Sequence, residues 1–394
     1  MASDASRFMN PKYSILLPTR NGGALLEGCI RSVLSQERDD FELVVSDNAS
    51  DEESQEAIRR FADDSRLVTL RQSEPLGVTG NWLACLDKSR GERIALIGDD
   101  DRLLPGYFEA ADVLVDTYRD PDVVLCNGIG FLFPGLEGST QAHFSDPFYE
   151  MDPTLPRDGL ISQSVRRRLV TEMFAFRFPI HMNMQAALIH RRCLDMLPGR
   201  FFRDPFPDFY TMNALMLKAD TWALSSETPV VIGVSPKSYG RTIHNAGQQD
   251  EGLAYLGIDL GFPGWLPGND HHSGTWKVLL ALKEDFPDEL AGCEIDRQAY
   301  VVGQVRALVI QYQLGGIERR ELLRRLRLLS ARDCLAVGTF ALNLRRIRMA
   351  RSTLTIDAGA ALPQLWPGMQ PLPTVRDIDE FLAWLALEER ERPA

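Results

Sequence analysis

Short runs of apolar residues alternate with longer stretches of helical apolar spacing through roughly the first 250 residues. The runs are four to six residues long, and several are followed closely by Gly, Pro, Asn or Asp, which is typical of buried strands. The predicted strands are Tyr13 to Pro18, Phe41 to Val45, Leu67 to Leu70, Ile94 to Ile97, Val123 to Cys126, Met184 to Ile189 and Pro229 to Val234. Because helical segments separate most of these strands, the pattern predicts βαβ units and a mostly parallel sheet of the α/β class.

The pattern becomes helical after Gly274 and stays so almost to the end of the chain. The predicted helices are Thr275 to Glu284, Asp296 to Leu314, Ile317 to Leu329, Ala331 to Met349 and Val375 to Glu389. We therefore expect an α/β domain over residues 1–250 and a mostly helical C-terminal region over residues 251–394. An irregular stretch, Gly128 to Pro156, is too long for an ordinary loop and indicates a functional segment or an inserted hairpin.

Polar clusters follow three of the predicted strands. They are Thr19-Arg20, Asp47-Asn48 and Asp99-Asp100-Asp101. Because parallel strands end at the same edge of a sheet, we expect the three clusters to converge there and to form a ligand site.

The acidic triplet Asp99-Asp100-Asp101 is the most informative of these clusters. Three adjacent carboxylates repel one another unless positive charge lies among them, so a divalent cation that also holds a phosphate is one interpretation. The alternative is a solvated acidic turn that caps a helix. The chain lacks GxGxxG after the first strand and lacks GxxxxGK[ST], which disfavours a dinucleotide fold and a P-loop.

Charge and composition argue against several classes of protein. A net charge of −12 argues against general affinity for nucleic acid. No stretch approaches the roughly 20 apolar residues of a membrane helix, and the N-terminus has no apolar signal core. The six cysteines form no CxxC pair and are interpreted as reduced thiols of a cytoplasmic protein.

One basic segment stands out in this acidic chain. Between Gly315 and Arg351 there are ten Arg and only three acidic residues. Such a patch fits a solvated helix face, contact with the acidic catalytic domain, a homo-oligomer, or peripheral contact with anionic headgroups at the inner face of a membrane.

Three segments together resemble a known family. Ser14 to Asn21, Glu42 to Glu52 and Gly77 to Pro105 are similar, in this order and spacing, to the inverting glycosyltransferases of family 2 of the bacterial type. The resemblance covers roughly the first 250 residues and is strong to about Val115. It implies a GT-A (Rossmann-like) fold, with a nucleotide-sugar half at about 13–127 and an acceptor half at about 128–250.

The resemblance also implies roles for individual residues. Asp47 would hold the nucleoside, Asp99 would lie toward the ribose and phosphates, and Asp101 would bind the metal, Mn²⁺ or Mg²⁺. Asp100 is the least certain member of the triplet. His244 is a second metal candidate, although Ser238 to Asn245 matches the family's segment imperfectly. The other nucleotide-sugar candidates are Pro18, Thr19, Arg20, Asn21, Asn81 and Arg241.

An acidic residue at the start of a helix acts as the catalytic base in this family. Asp208 best fits that role, with Asp204 as the alternative; a plain helix cap is the structural alternative for Asp208. His181 fits a structural histidine better than a substrate contact. Asp270-His271-His272 is interpreted as a surface or acceptor-side loop.

The function implied is metal-dependent, inverting transfer of a sugar from a UDP-, dTDP- or GDP-sugar to a hydroxyl. The acceptor would be a glycan, a lipid-linked molecule or a natural product. Two other classes remain as alternatives. A sugar-phosphate nucleotidyltransferase would release pyrophosphate, and a non-catalytic nucleotide-sugar binding protein would turn over no donor.

Overall fold

Two sheets organise the protein. The computed structural model describes residues 11–136, 139–238, 262–313, 315–342 and 368–391. Among these residues, the larger sheet has eight strands and the smaller one has five. No helix in the described ranges combines the length and apolar character needed to cross a bilayer.

The larger sheet has the strand order β3-β2-β1-β4-β10-β6-β11-β9. Its strands are β1 (Tyr13–Thr19), β2 (Phe41–Asp47), β3 (Leu67–Arg71), β4 (Arg93–Leu96), β6 (Val123–Leu125), β9 (Gly159–Leu160), β10 (Ala187–His190) and β11 (Trp222–Leu224). Six strands share one direction, whereas β10 and β9 run antiparallel to their neighbours. The predicted α/β class is confirmed. The sheet is also mostly parallel and flanked by helices, as the resemblance to proteins of the GT-A fold implies.

Helices cover both faces of this sheet, which explains why its central strands are apolar on both sides. In β1, Ile15 and Leu17 pack on one face, and Leu16 packs on the other. The first face carries α1 (Gly23–Leu34), α2 (Glu52–Arg59) and α4 (Tyr107–Thr117); the second carries α3 (Val78–Lys88), α5 (Gln163–Phe174) and α6 (Pro207–Lys218).

The smaller sheet has the order β13-β8-β7-β12-β5. Its strands are β5 (Arg102–Leu103), β7 (Ile129–Leu132), β8 (Ala142–Ser145), β12 (Val230–Val234) and β13 (Gln370–Leu372). β7 and β8 form an antiparallel hairpin within the irregular stretch, as one of its two interpretations predicts. The last helix, α11 (Ile378–Glu391), packs on this sheet, where the ring of Phe381 stacks on Phe131 at 4.9 Å.

The remaining helices form the C-terminal helical region. They are α7 (Asp270–Asp285), α8 (Arg297–Gln313), α9 (Arg319–Leu326) and α10 (Ala331–Leu342). The predicted boundary near residue 250 lies outside the described residues. The interpretation of Asp270-His271-His272 as a loop is wrong, because these residues form the first turn of α7. Asn269 caps that helix by accepting the backbone N–H of His272 at 3.2 Å.

A buried arginine connects the C-terminal segment to the acidic triplet. The Arg102 guanidinium donates to the carbonyl oxygens of Leu25 and Asp101 and to Asp379 of α11 at 2.9 Å. Arg102 is fully buried, whereas the Asp379 carboxylate is largely exposed. α11 therefore supplies the anion for a cation that lies next to Asp101.

We expect Asp379→Asn to lower the free energy of unfolding by about 1–2 kcal/mol, because a buried guanidinium loses its charged partner while keeping its carbonyl contacts. Chemical denaturation measures the change. Asp116→Asn, which removes an exposed carboxylate of α4, is the control. Equal stability of the two variants would show that the Arg102–Asp379 pair does not hold α11 in place.

Candidate active site

Three strand ends meet at one edge of the larger sheet, as the sequence predicts. Thr19 lies beside Asp47 in the register of β1 and β2, and the backbone N–H of Asn48 donates to Thr19 O at 2.9 Å. The Thr19 hydroxyl donates to Asp99 Oδ2 at 2.6 Å. The first, second and fourth strands thus bring their polar residues into one site.

The members of the acidic triplet have different surroundings. Asp101 is buried, and its carboxylate accepts the backbone N–H groups of Gly98 (2.7 Å) and Gly233 (2.8 Å). Asp99 and Asp100 are only partly buried, and Asp100 accepts the hydroxyl of Ser238. Asp101 therefore joins the turn to β12, whereas the other two carboxylates keep exposed surface.

Burial and the repulsion between neighbouring carboxylates change the pKa values of the triplet. Burial, followed by the charge of Asp100, raises the pKa values of Asp99 and Asp101 above the ordinary aspartate value. A cation bound beside Asp99 and Asp100 would relieve this repulsion. The chemistry of the carboxylate oxygens suits Mg²⁺ or Mn²⁺.

Two glycines allow the backbone to approach these carboxylates closely. A Cβ on Gly22 would lie 2.6 Å from Asp99 Oδ2, and one on Gly233 would lie 2.0 Å from the carbonyl oxygen of Asp100. A side chain at either residue would push the triplet out of place.

Asp47 occupies the nucleoside end of the predicted site. Its carboxylate is buried, accepts the backbone N–H of Ser50 at 2.8 Å and pairs with Arg71 at 2.5 Å. Asn81 is also buried, and its side-chain oxygen accepts the hydroxyl of Ser46 at 2.6 Å. Arg71 was not identified from the sequence, although it directly ends the third apolar run.

The loop after β1 presents the remaining described candidates. Pro18 is partly buried, while Arg20 and Asn21 are exposed. Lys237, which the sequence analysis missed, donates from Nζ to the carbonyl oxygen of Asn21 at 3.0 Å. Burial raises the pKa of Asp99, and the positive charge of Lys237 partly offsets that rise. Arg241 and His244 lie outside the described residues, so their assignments stay predictions.

Asp208 lies in the first turn of α6, the helix that leads into β11. A helix that precedes a parallel strand begins at the edge where the strands end, so Asp208 is on the same edge as the triplet. Its carboxylate is partly buried, and burial raises its pKa to about 6. Asp204, the alternative, is exposed.

The backbone of Tyr149 is held by a side chain next to the larger sheet. Asn127, which follows β6, holds both backbone groups of Tyr149 at 3.1 and 2.9 Å. Burial is the main cause of the raised pKa of the Tyr149 phenol, and the charges of Asp101 and Asp208 both add to it. The raised pKa keeps the phenol neutral at physiological pH.

His181 supports Tyr149 from behind. The two rings stack with centroids 4.2 Å apart, and His181 Nε2 lies 2.9 Å from the carbonyl oxygen of Cys126. Burial lowers the pKa of His181 to about 4, so its ring is neutral at physiological pH. This environment agrees with the interpretation of His181 as a structural histidine.

One cluster of potential metal ligands lies at the opposite edge of the sheet. In the described ranges, Glu92, Asp120 and His190 are the group whose ligand atoms lie within 4.8 Å of one another. Asp120, however, pairs with Arg93 and Arg192. His190 Nδ1 accepts the backbone N–H of Arg192, which leaves the ring proton on Nε2, the atom that faces Glu92. This arrangement fits an ion-pair network better than a metal site.

Comparison with known proteins adds a family match. The sequence profile of Glycosyl transferase family 2 matches residues 14–163. The uncharacterized protein MT1568 of Mycobacterium tuberculosis is 40% identical over 114 residues, 29% of this chain and 34% of that protein. The GalNAc(5)-diNAcBac-PP-undecaprenol beta-1,3-glucosyltransferase of Campylobacter jejuni is 37% identical over 98 residues, 24% of this chain and 32% of that protein. The chain spans about a third of the length of these curated relatives.

Similar solved structures include S. aureus TarS 1-349 in complex with UDP-GlcNAc, with a TM-score of 0.49 and 13% identity over 90% of this chain and 88% of that one. The mannosyltransferase PcManGT from Pyrobaculum calidifontis, in complex with GDP-Man and Mn²⁺, has a TM-score of 0.45 and 17% identity over 91% of this chain and 88% of that one. Both scores lie below 0.5, so no functional residue is transferred from these structures.

Proposed function

We propose that this chain, whose residues 14–163 match the profile of Glycosyl transferase family 2, transfers a sugar from a nucleotide diphosphosugar to an acceptor hydroxyl, with inversion at the anomeric carbon. The observation that carries the proposal is the placement of two acidic groups at one sheet edge. Asp99 and Asp100 are partly exposed and follow β4, and Asp208 is partly exposed in the first turn of α6, which begins at the same edge.

The nucleotide-sugar donor would bind next to the acidic triplet. Asp47 would accept hydrogen bonds from the nucleoside, while Thr19, Arg20, Asn21 and Lys237 line the loop next to Asp99. Because both oxygens of Asp101 already accept backbone N–H groups, the geometry favours Asp99 and Asp100 as the carboxylates that reach a cation. Bound Mn²⁺ or Mg²⁺ would stabilise the charge that develops on the leaving diphosphate. Asp101 and His244 remain the metal ligands that the sequence predicts.

The acceptor would occupy the side of Asp208. The acceptor oxygen attacks the anomeric carbon from the face opposite the diphosphate, and its bond to that carbon forms as the carbon–oxygen bond to phosphate breaks. Asp208 takes the hydroxyl proton, and the nucleoside diphosphate leaves with the bonding electrons. Neutral Tyr149 and His181 do not compete for the proton.

Two measurements test the proposal. Thermal shift with UDP-, dTDP- and GDP-sugars in the presence of Mn²⁺ should identify one nucleotide that stabilises the protein. Incubation with that donor should release the nucleoside diphosphate. Release of pyrophosphate would instead support the nucleotidyltransferase alternative, and donor binding without any turnover would support a binding protein.

We expect the transfer rate to depend on pH through Asp208. Because burial raises the pKa of its carboxyl to about 6, the base loses its deprotonated form as the pH falls through 6. The value of kcat/KM should therefore fall about tenfold per pH unit below 6 and level off above it. A pH–rate profile measures this. An inflection near the ordinary aspartate value of about 4 would contradict the proposed environment of the base.

Several further expectations remain proposals. The acceptor class, a cytoplasmic location and contact of the basic segment with a second copy or a membrane surface rest on the sequence alone. In α9, Arg324 and Arg325 both pair with Glu321, so part of the basic charge is already compensated within the helix.

A further inference from the structure

Three aromatic rings, each at least partly exposed, cluster where the first turn of α6 meets α7. Phe209 follows Asp208 in the first turn of α6, and its ring lies 5.1 Å from His271 and 6.1 Å from Phe178. Phe178 and His271 complete the triangle at 5.5 Å. All three pairs are tilted or edge-to-face, and together we call Phe178, Phe209 and His271 the aromatic platform.

The platform joins the helical C-terminal region to the catalytic domain. His271 belongs to α7, whereas Phe178 and Phe209 belong to the acceptor half. α7 approaches this half closely through Gly274, where a Cβ would lie 2.1 Å from the ring of Phe206. The buried ring of Phe206 supports His271 from below at 5.6 Å. These contacts fix His271 against the rings of the acceptor half.

The exposure of Phe178 is unusual for this protein. It is 38% exposed and is the only phenylalanine among the large exposed apolar side chains in the described part of the chain. An exposed phenylalanine that adjoins two other accessible rings marks a binding surface, and Phe209 joins that surface to the turn of α6 that carries Asp208.

We infer that the aromatic platform is an acceptor subsite on which a pyranose ring lies, so that one of its hydroxyls reaches Asp208. This inference rests on the proposed function. The C–H groups of a pyranose face carry partial positive charge and suit the negative faces of aromatic rings, while the hydroxyls at the rim suit the adjacent carboxylate. A long lipid chain would need a continuous apolar groove, but only a small part of the platform is exposed. The acceptor class is therefore a glycan whose terminal sugar carries the attacking hydroxyl.

Saturation-transfer NMR tests the platform with the full-length protein and simple probes. The probes are methyl glycosides of glucose, galactose and N-acetylglucosamine, with 1-octanol and N-acetylserine amide as hydroxyl compounds that lack a sugar ring. Irradiation of the aromatic protons should transfer saturation to the C–H protons of one glycoside in the presence of the nucleotide and Mn²⁺. Phe178→Ala should weaken the binding of that glycoside about tenfold, whereas Phe178→Tyr should retain the wild-type affinity.

Leu280→Ala is the matched control, because Leu280 is 37% exposed and lies elsewhere on α7. It should leave glycoside binding unchanged. Equal glycoside binding by wild type and Phe178→Ala would overturn the platform, as would stronger saturation of octanol or of the serine amide. If the nucleotide-sugar binds but no glycoside does, the platform fails and the proposed function stands. If no nucleotide-sugar binds, both fail.

Discussion

Replacement of Asp208 by Asn should reduce sugar transfer by about 10²- to 10⁴-fold while leaving nucleotide affinity nearly unchanged. The substitution keeps the size of the side chain and its place in the first turn of α6, but an amide cannot take the proton of the acceptor. Because Asp208 belongs to α6, whereas the triplet follows β4, donor contacts should survive. Single-turnover transfer assays measure the rate, and calorimetric titration with the nucleoside diphosphate measures the affinity.

Asp204→Asn is the matched control for this experiment. Asp204 lies four residues earlier on the same segment, but its side chain is exposed. We expect it to keep most of the transfer rate. A large loss in Asp204→Asn with retained activity in Asp208→Asn would exchange the two assignments. If Asp208→Asn loses nucleotide affinity and transfer together, Asp208 supports the donor site instead of acting as the base.

The sheet edge could be predicted from the sequence because its determinants are local. Each strand is a short apolar run, and the polar residues that matter lie at its end or just beyond it, as Thr19 ends β1 and Asp99 follows shortly after β4. Parallel βαβ connections then force these strand ends together. The class of fold and the convergence of Thr19, Asp47 and Asp99 follow from these rules without any knowledge of distant contacts.

The smaller sheet could not be predicted in the same way. β13 is three residues long and lies in a proline-rich segment, and it becomes a strand only because β8 offers it an edge more than 220 residues away in sequence. The support that α11 gives to Arg102 likewise depends on a contact between segments that are far apart in the sequence. Lys237 and Arg71 were missed because a single cation after a strand has no distinctive spacing, and only the fold brings them beside Asn21 and Asp47.

The pattern of residues alone also could not show which carboxylate of the triplet points inward. Three adjacent Asp residues are chemically identical, and the turn decides which carboxylate points inward. Here β12, about 130 residues further on, supplies the Gly233 N–H that orients Asp101. The resemblance assigns the metal to Asp101, whereas the geometry leaves Asp99 and Asp100 more accessible, and the two alternatives predict different results.

We expect Asp100→Asn to weaken metal-dependent nucleotide binding by about 10- to 100-fold without lowering the melting temperature. Removing this charge takes a ligand from the cation and also relieves the repulsion that raises the pKa values of Asp99 and Asp101. Titration of the nucleotide with Mn²⁺ and with EDTA measures the metal-dependent part of the affinity, and calorimetry of the free protein measures stability.

Asp101→Asn is the paired variant, and its effect should fall on stability. The amide group would turn an N–H donor toward Gly98 or Gly233, whose own N–H groups need acceptors, at a cost of about 1–3 kcal/mol. Its metal-dependent affinity, measured below the lowered melting temperature, should stay closer to wild type than that of Asp100→Asn. The opposite pattern, a stable Asp101→Asn protein that has lost its response to Mn²⁺, would establish Asp101 as the ligand and give Asp100 the supporting role. The two substituted residues are adjacent in the chain but lie on different surfaces of the same turn. The variant that loses metal-dependent nucleotide affinity identifies the residue that binds the cation, and the variant that loses stability identifies the residue that supports the turn.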